Sequence, residues 1–92
     1  MTKKKYNICF SCAGGTYIIQ NILAMRKISD ISFKIFGIDQ SKISKTNLDF
    51  IDKFEVCPSA KNNKNKYLDF ISKFCLNNNI DIFFPLSEIE ID

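Results

Sequence analysis

Histidine is absent from this 92-residue chain. With it go the commonest general base, the commonest metal ligand and every Ser–His or Cys–His dyad. Long apolar runs are missing too. The longest, Ile80 to Leu86, is broken by Asp81 and Pro85 and falls far short of the ~20 residues a membrane-spanning helix needs. Nor is there a block of one charge: the net charge is +3, with basic residues spread among acidic ones. That pattern reads as a solvated surface and predicts neither a nucleic-acid partner nor a membrane partner. Lys3, Lys4 and Lys5 ahead of an apolar stretch have the outline of a secretory signal. The stretch from Ile8 to Phe10 is too short for one, however, and Gly14-Gly15 leads into an amphipathic pattern rather than a cleavage site. The expectation is a cytoplasmic protein.

What is present suits one small domain. Hydrophobic residues make up 46% of the chain and charged residues 25%, enough apolar surface to close a single core. A chain of this size buries only about 60% of the surface its unfolded form exposes, so a missing neighbour is expected. The four cysteines are Cys9, Cys12, Cys57 and Cys75. Three of them fall in apolar patterns that read as buried strand or helix positions, which favours core packing over disulfides. Cys9 and Cys12 spell C-x-x-C, but no second pair completes a structural zinc site, and no metal ligand set is expected.

Tyr6 to Ser11 is apolar and rich in β-formers, and Ala13-Gly14-Gly15 closes it with a tight turn of the kind glycine tolerates. From Thr16, a candidate cap, the apolar residues Ile18, Ile19, Ile22, Leu23, Met25 and Ile28 follow helical spacing to about Ile28. Phe33 to Ile38 reads as a second strand stopping at Asp39. Between Ser41 and Asp52, the scattered Ile43, Leu48 and Ile51 support no more than a short helical turn. Phe54 to Cys57, closed by Pro58, reads as a peripheral edge strand. Tyr67, Leu68, Phe70, Ile71, Phe74 and Cys75 define a second amphipathic helix that stops at Asn77-Asn78-Asn79. Ile80 to Phe84 reads as a buried strand followed by the loop Pro85-Leu86-Ser87-Glu88.

Strands alternating with helices imply an α/β fold with a parallel sheet of about four strands, and right-handed crossovers favour the order 3-2-1-4. Ligands of such sheets sit outside the carboxyl ends of the strands where the winding reverses, here between strands one and four. Gly14, Gly15 and Thr16, then Asp39, then Ser87 and Glu88 all fall at strand carboxyl ends and are the candidate substrate-binding residues. The Gly14-Gly15-Thr16 turn before a helix offers backbone N–H groups to a phosphate or carboxylate, or serves only to turn the chain. Asp39 could accept a ribose hydroxyl, although Ser11 to Tyr17 lacks the spaced three-glycine pattern of NAD binding. Glu88 could hold a substrate amine, or be an exposed acid near the chain end. No catalytic residue stands out.

Several stretches together resemble a known family: the strand-Gly14-Gly15-helix unit, Gly37-Ile38-Asp39, Asp52-Lys53-Phe54-Glu55-Val56-Cys57-Pro58, and Asn79-Ile80-Asp81-Ile82-Phe83-Phe84-Pro85 followed by Glu88. In order and spacing they are similar to the N-terminal domain of ATP-grasp ligases, in the carbamoyl-phosphate-synthase-like, carboxylate–amine ligase branch. The resemblance spans nearly the whole chain. It implies that residues 1–92 form a small three-layer, Rossmann-like domain that precedes the ATP-grasp fold and helps bind the acceptor substrate.

In that family ATP activates a carboxylate for attack by an amine, with magnesium held by carboxylates and phosphates. The resemblance places those groups in a later domain, beyond Asp92. The chain is then expected to bind no cofactor alone and to be non-catalytic alone, with ATP and magnesium belonging to the full-length ligase. Its implied partners are the ATP-grasp domain, in cis or as a separate chain, and a small-molecule acceptor; an uncovered face would also permit a homodimer. Carried over by position, Gly14 and Gly15 match the glycine-rich substrate loop, Asp39 the acid after strand two and Glu88 an acid in the last loop. Cys12 departs from the pattern, standing where relatives often have the first glycine. The alternative is a stand-alone Rossmann-like domain that binds a nucleotide or metabolite through Gly14, Gly15 and Asp39.

Overall fold

A computed structural model describes residues 4–15, 18–28, 30–59 and 61–85. The elements run β1 (Lys4–Phe10), α1 (Ile18–Arg26), β2 (Ile31–Asp39), α2 (Lys45–Leu48), β3 (Lys53–Val56), α3 (Lys64–Asn77) and β4 (Ile82–Phe84). The four strands form one sheet in the order β3-β2-β1-β4, and every pair is parallel. This is the α/β architecture and strand order that the alternation of elements and the handedness of crossovers imply.

Side-chain alternation along the strands divides the core in two. Ile8, Phe10 and Ile35 face one way and are covered by Ile18 and Ile22 of α1. Cys9, Phe36 and Ile38 face the other way and meet Tyr67 and Phe74 of α3. Ile43 and Ile51, which flank α2, join the first layer, so the polar stretch between β2 and β3 is tied down by its few apolar residues. Gly37 lies within β2 on that side, where a Cβ would come within 2.8 Å of the Ala13 Cβ and 2.9 Å of Ile51 Cδ1. A larger residue there would push the loop after β1 off the sheet. Cys9 and Cys57 are buried, while Cys75 on α3 is half-buried and burial raises its pKa above the ordinary thiol value.

The asparagine run does stop α3, and the backbone explains how. Asn79 takes a left-handed φ of 52°, which lets the Asn79 amide donate to the Leu76 carbonyl and the Ile80 amide donate to the Cys75 carbonyl. This paired closure answers the carbonyls that a helix end leaves open. The same closure shortens β4. Ile80 belongs to the helix end, and the strand begins only at Ile82.

The expectation of a buried last strand needs correction. Ile82 is 43% exposed and Phe84 38% exposed. Among the described residues β4 pairs with β1 alone, and α1 packs against β2 on the sheet face that Ile82 and Phe84 share with Ile8 and Phe10. Stacking of Phe84 on Phe10, with ring centroids 5.2 Å apart, covers only part of that surface. At the opposite edge β3 is peripheral, as its short pattern and Pro58 predict.

Candidate functional site

The carboxyl end of β1 opens where the sheet winds both ways. Just past it, the Ser11 amide donates to the Phe84 carbonyl of β4, and the Ala13 amide donates to the Ile38 carbonyl of β2. The residue between them, Cys12, has a φ of 52°. The left-handed turn that the sequence assigns to glycine is therefore made by a cysteine, in a conformation costing an L-residue roughly 1–2 kcal/mol.

The glycines serve another purpose. A Cβ on Gly14 would lie 2.9 Å from Ile43 Cγ2 and 3.0 Å from Asp39 Oδ2, and one on Gly15 would lie 3.2 Å from the Cys12 carbonyl oxygen. Gly14 lacks a side chain because the Asp39 carboxylate comes in against it. Asp39 is delivered by the last residue of β2, and its two oxygens take one backbone donor each. Oδ2 accepts from the Gly14 amide at 2.9 Å, and Oδ1 accepts from the Gln40 amide at 2.7 Å.

Two candidate residues far apart in sequence are thus in direct contact, and Gly15 follows on the same turn. The three loop amides have partners within the chain, since Ala13 bonds to Ile38, Gly14 to Asp39 and Gly15 to Cys12 at 2.9 Å. Of these three amides, that of Gly14 meets the Asp39 carboxylate and the other two meet backbone carbonyls. Thr16, Ser87 and Glu88 lie outside the described residues.

A residue that the sequence did not single out completes the loop. Asn47, at the buried side of α2, donates from Nδ2 to the Ala13 carbonyl at 2.8 Å and to the Gly15 carbonyl at 3.0 Å. Two carbonyls converging on one side-chain atom require that atom to be the nitrogen. Ser44 caps α2, accepting from the Asn47 amide. The Ser-x-x-Asn spacing was the available signal, because a capped single turn orients its fourth residue. A strand end, a glycine turn and a capped turn therefore converge at the carboxyl end of β1, where two backbone amides hold the Asp39 carboxylate. Among the described residues no Lys or Arg forms an ion pair with Asp39, and no cluster of metal-ligating side chains occurs.

No protein-family model matches the chain. No curated protein matches it either.

Proposed function

We propose that this chain is the N-terminal substrate-binding module of an ATP-grasp carboxylate–amine ligase of the carbamoyl-phosphate-synthase-like branch, not catalytic by itself. The observation that carries the reading is the contact of the Gly14-Gly15 turn with Asp39 at the switch point of a 3-2-1-4 parallel sheet. That is where an open α/β sheet receives a ligand, and it joins the segments in which the sequence resembles the family. In this reading Gly14 and Gly15 form the turn against which the ligand lies and Asp39 is its recognition group.

The chemistry that ATP and magnesium supply in such ligases, activation of a carboxylate as an acyl phosphate, belongs here to the catalytic domain. The described residues do not suit a nucleotide's phosphates, because the amides of Ala13, Gly14 and Gly15 already donate within the chain. The module's own part is to bind and orient the acceptor. The apolar surface left by Ile82 and Phe84 suits cover by an adjoining domain, in cis or as a separate chain. No helix among the described residues is long and apolar enough to cross a membrane, and a cytoplasmic location goes with the reading.

Calorimetric titration with ATP–magnesium, NAD, amino acids and small carboxylates tests the proposal, with Gly15→Val as the control because a Cβ there comes within 3.2 Å of the Cys12 carbonyl oxygen. Silence toward ATP–magnesium and NAD is expected. Tight nucleotide binding abolished by Gly15→Val would replace this reading with that of a stand-alone nucleotide-binding domain.

A further inference from the structure

We draw no further inference here: the strongest candidate, the exposed apolar face of Ile82 and Phe84 on the β4 edge of the sheet, carries nothing because nothing in the structure shows what covers it.

Discussion

The two ends of the sheet are fastened by the same chemistry and put it to different uses. At the amino end, Asp52 and Asp81 each stand one residue before a strand and act alike. The Asp52 carboxylate accepts from the Ile35 amide at 2.7 Å while the Asp52 amide donates to the Ile35 carbonyl at 2.8 Å. The Asp81 carboxylate accepts from the Asn7 amide at 2.7 Å while the Asp81 amide donates to the Asn7 carbonyl at 2.8 Å. Each aspartate thus pins the register of an edge strand onto an inner neighbour. At the carboxyl end, Asp39 and Asn47 bond to backbone in the same way, but they hold an irregular loop rather than a ladder. The lesson is that side-chain acceptors and donors reinforce strand pairing where the ladder already exists, and add to a few backbone bonds to hold a loop where there is no ladder.

That contrast can be broken first at Asn47. Asn47→Leu keeps the volume but leaves the buried Ala13 carbonyl and the Gly15 carbonyl without their donor, which should cost about 2–3 kcal/mol in a urea unfolding experiment. It should also speed hydrogen exchange at Gly14. A loss no larger than that of the amino-end variants would mean that the loop holds its shape without the clamp.

Asp52→Ala and Asp81→Ala come next, at about 1 kcal/mol each, because both carboxylates are largely exposed and the paired backbone bond survives. Asn7 is paired with Lys34, the neighbour of Ile35, and Asn78 bonds to both Asn7 and Lys53, so the double variant should depart from the sum of the two losses. Asp81→Ala should be the larger, since β4 has three residues and, among those described, a single partner strand. The 3.7 Å ion pair of Arg26 with Asp52 adds little at half-exposed positions.

The smallest effect, of opposite sign, sharpens the comparison at Cys12. Cys12→Gly relieves a left-handed backbone but frees the unfolded chain, for a net gain of about 0.5–1 kcal/mol. Thermal unfolding would register it as a modest rise in Tm. A fall would show that the Cys12 side chain contributes more than its backbone costs.

How much was legible in the sequence follows from the range of each interaction. Helical spacing in Tyr67, Phe70, Ile71 and Phe74, the β-forming stretches Tyr6 to Ser11 and Phe33 to Ile38, and the asparagine stop are patterns over a few residues. The burial of Asn47 and the paired roles of Asp52 and Asp81 were not legible in the same way. An exposed-looking polar residue gains its meaning only from the backbone group that the fold brings opposite it. The strand read as buried at Ile80 to Phe84 shows the same limit, because an apolar run records what a strand could bury and not what lies over it.

By itself, then, the sequence determined the alternation of strands and helices, and with it the parallel sheet and its 3-2-1-4 order, since periodicity is local and crossover handedness is general. It also placed Gly14, Gly15 and Asp39 at strand carboxyl ends. Only the tertiary structure decided that Asp39 fills the glycine turn, that Cys12 makes the left-handed bend and that Asn47 clamps the loop. Those bonds join residues 25 and 34 positions apart, and no local preference specifies such a pairing until the sheet has brought its partners within hydrogen-bonding distance.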